Sequence, residues 1–528
     1  MERLRLLAPQ AVREMLADGQ ELALIDVREE LPFSEAHLLF ARSVPLSRLE
    51  LRMARLVPRR STRIVLCDAD DGLSRRAAGV LQRHGYSDVS ILQGGIAAWQ
   101  QAGYELFSGV NVPSKAFGEF VEHESATPSI SATELNELMR AGTNMVVVDS
   151  RPFDEFNRVS IPTGINVPGA ELVLRIHDIA PSPDTLVVVN CAGRTRSIIG
   201  AQSLINAGVP NKVVALRNGT MGWNLAGLTC DHGRQQRFPA TSPDGIARAK
   251  GAAAEVARRL GIERIDLARL RRLRAEEQDR TLYVFDVREP GEYESGHLPG
   301  AVSAPGGQLV QATDQYVGTL GARIVLVDDK EVRAVMTASW LRQMGWREVC
   351  VLVESGAETG WPADPILGAE PHPELRIAPA ELSAALARGE ATVVDLSLSR
   401  NYRGAHIPDA WFAIRARLQQ ALAKIPARAM LVLTSEDGQL AGLAAPEAKA
   451  LTDQPVRTLA GGNAAWKAAG YPLASGDEHM ADAAIDAWLK PYERSGNTEK
   501  AMQEYLSWEV DLLPRIARDG STNFSRFP

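Results

Sequence analysis

Leu186-Val187-Val188-Val189-Asn190-Cys191-Ala192-Gly193-Arg194-Thr195-Arg196-Ser197 reads as a buried strand, a short polar turn and the start of a helix that continues through Ile198 to Ile205. A continuously apolar strand that feeds a helix belongs to a parallel sheet covered on both faces. Ligands bind such sheets at the carboxyl ends of the strands, where Cys191 falls. A thiol at that edge faces unpaired backbone N–H groups and the positive end of a helix dipole. This setting is expected to lower its pKa and favour the nucleophilic thiolate. Arg194 and Arg196 add two cations, and Gly193 is expected to let the backbone turn so that N–H groups converge on an anion.

Outward from this segment, the same pattern recurs four times, about every 110 to 135 residues. Each copy opens with a short amphipathic helix, at Pro9 to Leu16, Ser131 to Met139, Asp266 to Leu273 and Pro379 to Leu386. A buried strand follows and ends in an acid: Asp26, Asp149, Asp286 or Asp395. A second apolar strand, at Arg63 to Leu66, Leu186 to Val189, Arg323 to Leu326 and Met430 to Leu433, leads into a helix. A further apolar strand then precedes a Gly-Trp signature: Gly95 with Trp99, Gly219 with Trp223, Gly356 with Trp361 and Gly462 with Trp466. The period is far longer than a solenoid repeat, so each copy reads as a self-sufficient α/β domain, a parallel sheet with helices on both faces.

The expected domains are 1–109, 127–232, 261–368 and 373–475, followed by a helical C-terminal extension over 476–528. Val110 to Thr127 links the first two. His232 to Leu260 links the second and third and turns helical from Ile246. The extension reads as helical over Met480 to Leu489 and Glu499 to Arg518. Its Trp488, Tyr492, Tyr505 and Trp508 predict packing against a domain, with dimerisation as the alternative.

At 528 residues the chain is too long for one core, and its net charge of -7 gives no reason to expect nucleic acid or an anionic membrane as partner. Met1-Glu2-Arg3-Leu4-Arg5 lacks the apolar stretch of a signal peptide, and no run approaches the length of a membrane span. Cys67, Cys191, Cys230 and Cys350 are scattered without CxxC pairing, and the histidines do not cluster. Neither a disulfide scaffold nor a metal site is expected, and a reducing, cytoplasmic compartment is. No cofactor is implied.

Together these segments resemble the rhodanese family of sulfurtransferases. The third copy carries the family motif almost intact, as Asp286-Val287-Arg288-Glu289-Pro290-Gly291-Glu292-Tyr293-Glu294-Ser295-Gly296-His297-Leu298-Pro299-Gly300-Ala301. The first keeps Asp26-Val27-Arg28 and His37. The second keeps Asp149-Ser150-Arg151, Glu155-Phe156 and Ile161-Pro162. The fourth keeps Asp395, Tyr402, Gly404 and His406-Ile407-Pro408 but has Ser397 for the arginine. The Asp-x-Arg pairs are expected to be buried structural ion pairs.

The resemblance implies four tandem rhodanese-like domains and a covalent mechanism. A cysteine heading a six-residue loop takes one sulfur from a donor as a persulfide and hands it to a thiophilic acceptor. Cys191 to Arg196 fits that loop in length. Counting back 28 residues from the second glycine of the signature puts Cys67, Cys191 and Thr434 at the loop head, and strand alignment puts Val327 there. The third and fourth copies then lack a nucleophile. Asp68, Asp70 and Asp71 follow Cys67, and a like charge at roughly 6 Å costs on the order of 2–3 kcal/mol against a thiolate. Cys191 is therefore the expected catalytic residue.

Ala192, Gly193, Arg194, Thr195 and Arg196 are expected to bind substrate through backbone N–H groups and charge. Arg194 would grip the donor's oxyanion, and Arg196 would share that role or brace the loop. The expected donor is thiosulfate or a related small molecule, and the acceptor is cyanide or a thiol. The alternative is a persulfide relay or scaffold serving a protein sulfur acceptor. A cysteine phosphatase of the Cys-x5-Arg kind is disfavoured, because Ser197 stands where its arginine would be. Phe117 or Phe120 is expected to wall the pocket mouth, and Cys230 and Cys350 to be packing residues.

Overall fold

The computed structural model of the protein describes residues 4–368, 373–494 and 496–528; Met1, Glu2 and Arg3 of the N-terminal reading lie outside them. Four five-stranded sheets follow one another along the chain. In each, the strands lie in the spatial order first, fifth, fourth, second, third, and every pairing is parallel. Strand Leu186–Asn190 is the central fourth strand of the second unit. Its Val187, Val188 and Val189 are fully buried, as a strand covered on both faces requires. The helix Thr195–Asn206 follows it.

The units pack in two pairs. One continuous core joins the second and third units and takes in Ala249, Ala253, Val256 and Ala257 of the linker helix Pro243–Leu260. Another joins the first and fourth units. Each pair is also pinned by a buried arginine. Arg333 reaches Glu171 at 2.7 Å across the second–third joint, and Arg415 reaches Glu50 at 2.8 Å across the first–fourth joint. The Asp-x-Arg pairs are buried ion pairs, Arg28–Asp26, Arg151–Asp149 and Arg288–Asp286. Among the described residues no helix is long and apolar enough to cross a membrane.

Three expectations are corrected. Met480 to Leu489 is not helical, because its side chains serve the fourth unit instead. Asp482 accepts the Ile414 N–H at 2.9 Å and Asp486 accepts the Ser399 N–H at 2.7 Å. The second helix of the extension does form, as Thr498–Asp519, and packs against the linker helix Val112–Ser125. Trp361 is not equivalent to the other signature tryptophans. Trp99, Trp223 and Trp466 are buried and each donates Nε1–H to a carbonyl six residues on, whereas Trp361 is 55% exposed on irregular chain. Phe117 is buried in the core against Trp340 and Phe524 and does not wall a pocket.

Candidate active site

Strand register decides which residues are equivalent. Asp26 pairs with Cys67, Asp286 with Val327 and Asp395 with Thr434, but Asp149 pairs with Asn190. Cys191 therefore corresponds to Asp68, Asp328 and Ser435, not to Cys67, Val327 and Thr434. The equal count from the glycine misleads because the second unit spends one more residue between loop and glycine. Other bonds agree. The Cys191 carbonyl accepts from Thr220 N–H just as that of Asp68 accepts from Ile96 and that of Ser435 from Asn463.

In all four units the first loop side chain faces the amide six residues later. Asp68 Oδ2 accepts from Ser74 N–H at 2.8 Å, Asp328 Oδ2 from Ala334 N–H at 3.4 Å and Ser435 Oγ from Ala441 N–H at 3.3 Å. In the second unit Cys191 faces Ser197. The remaining amides differ. Asp68 also holds the Asp70 N–H, and Asp328 holds those of Lys330 and Arg333. Among the described residues no acceptor takes the N–H groups of Ala192, Gly193, Arg194, Thr195 or Arg196. The loop of the second unit is thus an open anion nest with a sulfur at its head, while its counterparts in the first and third units are filled by their own carboxylates.

The arginines do different work. Arg194 turns away from the thiol into the linker helix, donating Nε–H and Nη2–H to Glu119 at 2.7 Å each and pairing also with Glu122. It is not a free cation in the cavity. Arg196 lies beside the sulfur and is paired with Glu155 at 2.9 Å. Lys490 approaches the same carboxylate at 3.5 Å. Burial would push Glu155 up, but Arg196, then Lys490 and Arg151, hold it down at about 2. The Thr195 hydroxyl points to Glu509 at 3.4 Å.

Gly193 does not have a positive φ. Its lack of a side chain serves packing, since a Cβ there would lie 3.1 Å from Glu509 Oε2 and 3.5 Å from Tyr505. Gly219, at φ +52°, lets its backbone pass against the Cys191 carbonyl, where a Cβ would collide. The thiol is 2% exposed. Burial pushes its pKa up and outweighs the pull of Arg196 and of hydrogen bonds from Ser197, which reverses the expectation of a lowered value.

A cavity of about 170 Å³ opens over the loop. Cys191 to Arg196 form its floor. Gln308, Gln311 and Ala312 of the third unit, Asn111 and Lys115 of the linker, and the C-terminal extension enclose it. The extension contributes Trp488, Lys490, Tyr492, Tyr505 and Glu509. These wall residues escaped the sequence reading; the aromatic content of the extension was the signal, but not its destination. Lys115 is buried under the rings of Trp488, Tyr505 and Trp508, its Nζ 4.7–5.4 Å from their centres. Burial pulls its pKa down to about 8 against the attraction of Glu509 and Asp314. Cys67 is wholly buried at the end of its strand, and burial followed by the Asp26 charge pushes its thiol well up. Cys230 donates to Asn224 at 3.1 Å and Cys350 sits in strand Val349–Leu352, so both are packing residues.

Comparison with known proteins gives a consistent picture. The model of the rhodanese-like domain matches residues 8–102, 131–226, 267–359 and 378–469. A crystal structure of a thiosulfate sulfurtransferase from Pseudomonas aeruginosa superposes with a TM-score of 0.97 and 49% identity, covering 99% of this chain and 100% of that one. A probable adenylyltransferase/sulfurtransferase, MoeZ, of Mycobacterium tuberculosis is 34% identical over 95 residues, which are 18% of this chain and 24% of that relative's length. The uncharacterized protein YqhL of Bacillus subtilis is 35% identical over 86 residues, 16% of this chain and 67% of its own.

Proposed function

The chain belongs to the rhodanese-like family, and from that premise we propose that it is a sulfurtransferase that carries sulfane sulfur on Cys191, from thiosulfate or a related small donor to cyanide or a thiol. The observation that carries this reading is the open nest of five amides around Cys191, set against the filled or thiol-free loops of the other three units. Cys191 attacks the outer sulfur of the donor, and the leaving group departs as an anion such as sulfite. The persulfide left on the thiol is held by the N–H groups of Ala192 to Arg196 and by the charge of Arg196. Arg196 and Lys490 grip the donor's oxyanion. Arg194 keeps the loop fixed to the linker helix through Glu119 and Glu122.

The burial of Cys191 beneath the C-terminal extension favours small donors and acceptors over relay to a protein partner. Intact mass spectrometry after incubation with thiosulfate tests the assignment. The wild type should gain one sulfur, removable by cyanide, and Cys191→Ser should gain none. A cyanide-labile sulfur that survives the substitution overturns it.

A further inference from the structure

One carboxylate in the cavity has no part in the chemistry described so far. Glu509 lies on the C-terminal helix, 2% exposed, directly over the catalytic loop. Its Oε1 accepts from the Tyr505 hydroxyl at 3.1 Å and the Thr195 hydroxyl at 3.4 Å. Its Oε2, the oxygen nearest Gly193, has no hydrogen-bond partner among the described residues. A buried carboxylate oxygen without a partner is costly, and the carboxylates Asp68 and Asp328 at the loop heads of the first and third units are satisfied by backbone amides. Glu509 lines the cavity that opens over Cys191, where a molecule attacking sulfur on that residue must lie.

Building on the persulfide reading above, we propose that Glu509 is the general base for the acceptor half-reaction and that the natural acceptor is a thiol. The thiol proton passes to the Glu509 carboxylate as the acceptor sulfur bonds to the outer sulfur of the Cys191 persulfide. The bond from Cys191 Sγ to that outer sulfur breaks, and its electron pair stays on Cys191 as thiolate. The products are an acceptor persulfide, the free thiolate and a protonated Glu509, with no external oxidant or reductant. The surroundings suit this task. Burial raises the Glu509 pKa to about 7 against the opposing pull of Lys115, so the group exchanges protons near neutrality. The charged and titratable groups facing it are Lys115 and Glu119 from the linker helix, Arg194, Arg196 and Cys191 from the loop and Tyr505 from its own helix. An alkyl thiol, with a pKa of about 8.5 or higher, needs a base at neutral pH.

The experiment uses the full chain loaded with thiosulfate and follows loss of the extra sulfur by mass in single turnovers. Two acceptors are compared, 2-mercaptoethanol and thiophenol, the latter already ionised at neutral pH. Glu509→Gln should still take up one sulfur, which also shows that its site is folded. Its discharge to 2-mercaptoethanol should fall at least about tenfold, the lower range of base catalysis being about a hundredfold. Discharge to thiophenol should change little. The wild-type rate with 2-mercaptoethanol should rise through about pH 7 as the carboxylate forms, and that step should vanish in the variant. Equal slowing with both acceptors, or slowing with neither, overturns the role of Glu509 alone. Failure of the wild type to load Cys191 overturns the persulfide reading and this inference with it.

Discussion

At the loop head the four units carry Asp68, Cys191, Asp328 and Ser435, and the proposed chemistry rests on this single position. Asp68 is held by two amides and contributes to stability, whereas Cys191 leaves its amides open. Removing a buried acceptor strands its donors at about 1–3 kcal/mol. Asp68→Ala should therefore lower unfolding free energy by about 2 kcal/mol, while Cys191→Ala should cost well under that and abolish sulfur uptake. Urea denaturation of both variants at neutral pH checks the contrast. Much of this was legible in sequence: the apolar strand, the polar turn and the two arginines singled out Cys191. The register was not. An equal count from Gly95, Gly219 and Gly462 aligned Cys191 with Cys67 and Thr434, because nothing in the sequence marks the extra residue of the second unit. Arg194 and Arg196 also look alike in sequence. Only the positions of Glu119, Glu122 and Glu155 distinguish a brace from a cation beside the thiol.

Among the elements, the linker helix Val112–Ser125 matters most to the site. One side supplies Lys115 to the cavity, another grips Arg194 through Glu119, and Gly118 lies flat against Thr195 at the start of the loop helix. A Cβ on Gly118 would stand 2.7 Å from Thr195 Cγ2 and 3.1 Å from Thr195 Cα, too close without movement of one helix. Overpacking of this kind costs about 1–3 kcal/mol. Gly118→Ala is expected to lose stability in that range and to raise KM for thiosulfate, because the displaced loop carries Arg196 with it. Steady-state kinetics beside thermal unfolding check both effects. The sequence marked this segment as important but chose Phe117 and Phe120 for the pocket. Large apolar residues on a helix between two domains serve first as core, and here they meet Trp340 and Phe524. The C-terminal extension shows the complementary limit. Its aromatic residues predicted packing against a domain, yet that they close over a loop some three hundred residues earlier is a tertiary fact with no local signature.

Across the whole molecule, the cavity of the second unit is framed by chain from outside that unit. The cavity is complete only where the second unit's loop, the third unit's Gln308 and Gln311, the first linker and the extension meet. The joint between the second and third units is the critical one, and Arg333 is its pin. It is fully buried and pairs with Asp328 at 2.8 Å, Asp329 at 2.7 Å and Glu292 at 2.6 Å in its own unit, as well as with Glu171 at 2.7 Å across the joint. Breaking a buried network by removing its one cation costs about 3–5 kcal/mol, because the carboxylates remain without compensation. Arg333→Met should therefore destabilise the protein by that order. The sign with pH follows from the carboxylates. Burial already pushes Asp328 up against the pull of Arg333, and without the arginine its folded pKa rises further above the unfolded value. A group with a raised folded pKa contributes stability at low pH and loses it as pH rises through that pKa. The deficit of Arg333→Met should thus be smaller at pH 5.5 than at pH 8. Urea denaturation at the two pH values measures it. A deficit independent of pH would mean that cations already paired with these carboxylates, Lys330 with Glu292 and Arg175 with Glu171, compensate for the lost arginine.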